Sequence, residues 1–81
     1  MEETHQKRLH WGCRRGMLEL DLMLIPFLEQ QYNSLNDALK NDFEDLLTAD
    51  DPELFRWLMG HGQPPEGYQV IARTIREYAR K

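Results

Sequence analysis

The sequence predicts an all-α fold, a small five-helix bundle forming one domain over residues 1–81. Two observations carry that expectation. Capping residues, glycines and prolines divide the chain into five segments, and apolar residues recur within them at helical spacing, with no convincing strand. A chain of 81 residues, 41% hydrophobic and with a net charge of −4, suits one small domain rather than two. Such a domain has little room for both a full core and a deep substrate cavity, which argues against an enzyme.

The first helix is predicted from about Glu3 to Arg14, ended near Gly16, a residue that readily takes the left-handed C-cap conformation. Arg14 and Arg15 then face the negative end of its dipole. The second runs from about Met17 to Tyr32, with Pro26 expected to kink it or break its hydrogen-bond ladder. "NSLND" opens the third: Ser34 or Asn36 can cap, Ser34 with Asp37 resembles a weak capping box, and Leu39, Phe43, Leu46 and Leu47 follow at helical spacing. "DDPE" opens the fourth, with Asp51 as cap and Pro52 at the first helical position, and Gly60 closes it. "GHGQPPEG" is a loop. The fifth runs from about Tyr68 to Arg80, burying Ile71, Ala72, Ile75 and Tyr78 while Arg73, Arg76 and Arg80 face water. No internal repeat or low-complexity tract interrupts this order.

The second helix has a narrow polar face, chiefly Glu19, Pro26 and Gln30. Leu18, Leu20, Leu22, Met23, Leu24, Ile25, Phe27 and Leu28 surround the rest of its axis, as in a central helix packed on several sides. Asp21 falls in that apolar sector and must reach solvent at an edge or meet a cationic or hydrogen-bonding partner. Glu19 should be exposed.

The stretch "WGCRRGMLELD" gathers positive charge in an acidic protein. Lys7, Arg8, Arg14 and Arg15 lie three or four residues from Trp11, the neighbouring positions on a helix surface, and frame it with cations. Leu9 and Cys13, with His5 and Gly12, occupy the opposite face and suit packing on the bundle. Trp11 is therefore expected to point outward, as in the tryptophan- and arginine-rich centre of a protein-binding surface. Gly12 and Gly16 would let a partner's backbone approach closely.

Each feature also has a structural reading. Trp11 could fold back under arginine stems, and Arg15 and Glu19 at i and i+4 could form an exposed pair contributing only about 0.3–0.5 kcal/mol. Gly16 could be only a cap, and Asp21 only a structural hydrogen-bonding residue. Trp57, Phe43 and Phe55 sit on apolar stripes and suit the core.

Chemical motifs are mostly absent. One cysteine, Cys13, excludes an intrachain disulfide framework and a cysteine-based zinc site. His5, His10 and His61 lack metal-ligand spacing, no nucleophilic triad can be assembled, and "GHGQPPEG" follows no strand and has the wrong glycine spacing for a phosphate loop. Glu29, Asp37, Asp42, Glu44, Asp45, Asp50, Asp51 and Glu53 make a negative middle that disfavours nucleic acid. The opening MEETHQKR resembles neither a secretory nor a mitochondrial signal. The longest apolar run is too short and too interrupted to span a bilayer. A cytoplasmic protein without membrane insertion is expected.

Trp11 to Asp21, with the Arg15-Gly16-x-x-Glu19 core, then Pro26-Phe27, Tyr32 and "DDPELFRWLM", closely resembles the succinate dehydrogenase assembly factor family, the small SdhE-like FAD assembly factors. The resemblance covers about His10 to Gly60 and fades into the last helix. RGxxE alone is a weak signature; its spacing to the later aspartate-proline helix start makes the combined match specific. The resemblance implies a five-helix chaperone, not an enzyme, that docks on the flavoprotein subunit of succinate dehydrogenase, and on that of fumarate reductase, and promotes covalent FAD attachment. The partner would supply the histidine that is joined to FAD, and this chain would hold no cofactor stably itself. A helix N-terminus beside Gly16 could attract an anion without specificity. Arg15, Gly16 and Glu19 match the family motif as partner-binding residues, with Trp11, Arg8, Arg14 and Asp21 as neighbours. The lack of a targeting extension points to a bacterial-type member. The alternative is an antitoxin-like protein-interaction regulator.

Overall fold

The computed structural model describes the backbone of residues 2–79 and the side chains of residues 7–79. The elements are α1 (Glu2–Cys13), α2 (Leu18–Gln31), α3 (Asp37–Leu46), α4 (Asp51–Leu58) and α5 (Gln69–Ala79), with single 3-10 turns at Tyr32–Ser34 and Glu66–Tyr68. Among the described residues there is no strand, so the all-α expectation holds.

Local chemistry explains most boundaries. Gly60 takes φ +80° just after α4, and Gly16 takes φ +78° in the connection between α1 and α2, three residues past the end of α1; both positions are left-handed, where a side chain would be strained. Asn36 caps α3, its side-chain oxygen accepting the Leu39 amide at 2.8 Å. Asp51 is not the cap of α4. Asp50 holds that position and Asp51 is the first helical residue, its carboxylate directed to Arg15 instead. α2 continues unbroken through Pro26, although the ring leaves the Leu22 carbonyl without its usual i+4 donor.

α2 packs against α1, α4 and α5, and α5 also packs against α3. Leu20, Leu24, Phe27 and Leu28 fill the middle of the bundle with Phe43, Leu46, Leu54, Trp57, Ile71 and Ile75. The Phe27 ring lies 5.5 Å from Phe43 and meets Tyr78 edge-on at 5.8 Å, separations at which aromatic pairs stabilise beyond their buried area.

The expectation that α2 is enclosed on nearly every side needs correction. Leu18 and Leu22 stand in solvent, 67% and 64% exposed. The reason is size: a domain this small has too few helices to surround a 14-residue one completely. Phe55 and Tyr78 are likewise only half-buried, the Tyr78 hydroxyl bonding to Gln30 Oε1. Arg76 does not simply face water; it is half-buried and its Nη1 donates at 3.4 Å to the Trp57 carbonyl, which also accepts the Gly60 amide at the end of α4. Arg80 lies outside the described residues.

Candidate docking face at the α1–α2 junction

α1 turns its apolar edge inward, burying Leu9 and Cys13, as the sequence predicts; the side chain of His5 lies outside the described residues. Burial disfavours the Cys13 thiolate and pushes the thiol up to about 12, against the smaller opposing pull of Arg15. At neutral pH this sulfur is a protonated packing group, not a nucleophile.

The outward edge of α1 carries Trp11, 72% exposed. Lys7, His10 and Arg14 line an open surface depression of about 300 Å³ with it. His10 is tied to α2 through Glu29, Nε2 to Oε2 at 3.0 Å, and Arg8 is exposed. The cationic frame thus consists of Lys7 and Arg14 beside the ring, while Arg15 turns elsewhere.

Arg15 is the most heavily bonded side chain at the junction, and only 15% of it is exposed. Its Nη1 donates to the Gly12 and Leu47 carbonyls at 2.9 and 2.8 Å, its Nη2 to the Ala49 carbonyl at 2.6 Å, and its Nε to Asp51 Oδ1 at 2.7 Å. Gly12 belongs to the last turn of α1, and Leu47 and Ala49 follow the end of α3, so the cation sits where the open carbonyls and negative dipole ends of two helices converge. A planar guanidinium with a fixed fork of donors suits that convergence better than a lysine ammonium. Its own amide donates to Asp21 Oδ1 at 2.8 Å, which answers how Asp21 is accommodated on an apolar helix. The exposed Arg15–Glu19 pair considered from spacing is replaced by the Arg15–Asp51 pair.

The glycines divide in the same way. A Cβ on Gly12 would lie 3.3 Å from Leu47 Cδ1, so this glycine admits a close approach by its own chain rather than by a partner. A Cβ on Gly16 would meet nothing within 4 Å, leaving that turn open. Beyond it, Leu18, Glu19 and Leu22 are exposed on α2. The first turn of α2 carries Glu19 and Asp21, whose charges compensate the helix dipole and oppose a phosphate there. The anion site considered beside Gly16 therefore does not fit a flavin diphosphate.

Of the residues singled out from sequence, the structure places Trp11, Arg8, Arg14, Gly16 and Glu19 at the surface and engages the polar groups of Arg15 and Asp21 within the chain. Sequence reasoning missed Leu18 and Leu22 as surface residues and Asp51 as the partner of Arg15. The signal for the leucines was an apolar circumference too wide for the few helices available; nothing local signalled Asp51, 36 residues from Arg15. Among the described residues, no three His, Cys, Asp or Glu side chains group as a metal site, and no helix is long and apolar enough to cross a membrane. A groove of about 620 Å³ between α2, the end of α4 and α5 includes no residue of the RGxxE segment.

Fold and candidate site together define a small all-α domain in which an exposed tryptophan with cationic neighbours lies beside an arginine bonded within the chain. The family model described as "flavinator of succinate dehydrogenase" matches residues 7–79, and the chain belongs to that family. It is 54% identical over 67 residues to the FAD assembly factor SdhE of Pectobacterium atrosepticum, covering 83% of this chain and 76% of the relative. It is 51% identical over 73 residues to the protein of that name from Yersinia pseudotuberculosis, covering 88% and 83%. The protein of the same name from a Serratia species is 50% identical over 66 residues, covering 82% and 75%.

Proposed function

We propose that this protein is a cytoplasmic docking chaperone that promotes covalent attachment of FAD to the flavoprotein subunit of succinate dehydrogenase, and of the related fumarate reductase subunit. The observation that carries this reading is the exposed Trp11 with its cationic neighbours, displayed on the RGxxE segment of a flavinator-family chain. Trp11 supplies apolar contact, Arg8 and Arg14 long-range attraction, and Glu19 a polar contact. Gly16 leaves room for a partner backbone, and Leu18 and Leu22 extend the apolar surface.

The chain supplies no acid, base or nucleophile to the reaction. The flavoprotein contributes the histidine joined to FAD, and docking favours the conformation in which that histidine and the flavin are in reactive geometry. Binding accelerates attachment only to the degree that the chaperone prefers this conformation over the others. The leverage is large because small misplacements of reacting groups greatly slow such a step.

The test is reconstitution of apo-flavoprotein with FAD, with and without this protein, followed by intact mass measurement. Adduct yield rises with the wild-type chain and falls toward the unassisted level with Trp11→Ala or Glu19→Ala. An adduct yield indifferent to the chain under competent conditions overturns the proposal, as does recovery from cells of a toxin complex independent of flavin status.

A further inference from the structure

We infer that Arg15 is a positioning residue: it latches the α1–α2 junction to the α3–α4 junction from inside and thereby fixes the turn that presents Gly16 and Glu19, without touching the partner itself. The inference rests on the docking face proposed above and goes beyond it by assigning the motif arginine a role within the chain.

Three observations converge on this role. All three guanidinium nitrogens donate within the protein, at 2.6–2.9 Å, to Gly12, Leu47, Ala49 and Asp51. The side chain is 15% exposed, whereas Trp11 is 72% exposed. The amide of the same residue is held by Asp21 from α2 at 2.8 Å. The peptide at position 15 is therefore gripped from both directions, by the first turn of α2 through its N–H and by two helix C-termini and the start of α4 through its side chain. Directly after it, Gly16 must hold φ +78°, a region that a freed glycine leaves readily. Loss of the latch releases this turn, so the partner must order it on binding, and only the competent fraction binds productively.

The latch also places a recognition determinant where no partner contact is needed. Asp51 is the one side chain among the acceptors, and it reaches Arg15 across 36 residues of sequence. Removing it should weaken docking in the same manner as removing Arg15.

The experiment compares Arg15→Ala, Asp51→Ala, their double variant and Arg15→Lys in the full chain. Exchange of the Arg15 amide, the one held by Asp21, reports the turn in the free protein. Flavinylation of apo-flavoprotein against chaperone concentration separates half-saturation from the saturated rate. Exchange at the position-15 amide should accelerate about tenfold or more in Arg15→Ala and Asp51→Ala while the helices stay protected. The half-saturating concentration should rise about fivefold or more, with the saturated rate retained. The double variant should match Arg15→Ala, because both substitutions open one latch, and Arg15→Lys should recover part of the loss. Arg15→Ala that loses docking with unchanged exchange in the free protein overturns the inference, as do additive effects of the two substitutions. If Arg15→Ala does not fold, Asp51→Ala decides through its exchange alone. Trp11→Ala and Glu19→Ala run in parallel: normal docking by both defeats the docking face, whereas the latch is read in the unbound chain.

Discussion

Replacing Trp11 by alanine separates docking from folding. The indole is 72% exposed, so at the usual 150–250 Å² for a large aromatic, about 110–180 Å² of its surface remains for a partner to cover. At about 25 cal/mol per Å² the upper bound on its contribution is about 3–4.5 kcal/mol, and part of this is lost to imperfect burial and side-chain ordering. A loss of about 2–3 kcal/mol follows, a fall in affinity of roughly 30- to 150-fold. The same exposure implies a change in folding stability within about 0.5 kcal/mol, because the ring leaves no cavity behind. Isothermal titration against the apo-flavoprotein reads the first quantity, and urea denaturation of the free chain the second. Trp11→Ala that binds within about threefold of wild type, while equally stable, would refute the reasoning. A large stability loss would refute it differently, by making the indole a core group.

Other perturbations follow from the same geometry. Cys13 and Tyr32 are both raised by burial, with Glu44 adding to the effect at Tyr32. Folded-state values above the unfolded ones stabilise fully below the unfolded pKa, so stability should decline as pH rises from the ordinary thiol value of 9.0 toward about 12. Each group adds a limiting slope of about 1.4 kcal/mol per pH unit above its own unfolded pKa; Cys13→Ala should remove the earlier limb in denaturation at about pH 8 and about pH 10. Gly16→Ala should lose about 1–2 kcal/mol, from backbone strain at φ +78° alone, because its Cβ meets no neighbour; urea denaturation beside Gly67→Ala, which also has open space, checks this. Asn36→Ala should lose about 1 kcal/mol with the α3 cap, read the same way. Leu22→Ser should leave the melting temperature unchanged and weaken capture of the apo-flavoprotein, since the leucine is 64% exposed.

The helical architecture was legible in the sequence because its signals are local. Gly60 at a helix end and the Asn36 cap act within a turn or two of themselves, and the structure bears both out, while Pro52 falls one residue inside α4 rather than first and Gly16 takes its left-handed turn three residues past α1. The outward direction of Trp11 was legible for the same reason: its neighbours at three and four residues are cations, while Leu9 and Cys13 mark the face that packs.

Only the tertiary structure decided which way Arg15 turns. Spacing offered Glu19 as its partner, but an exposed pair at i and i+4 contributes little, whereas the fold brings three carbonyls and the Asp51 carboxylate to one point. Those acceptors come from the ends of different helices, and no periodicity along the chain records their meeting. The exposure of Leu18 and Leu22 is of the same kind, because a side chain's burial depends on whether another helix is available to cover it. Sequence by itself determined, to within a residue or two, where the helices begin and end and which residues they offer; packing decided that the arginine of the RGxxE segment turns into the molecule while two leucines of its central helix stay outside.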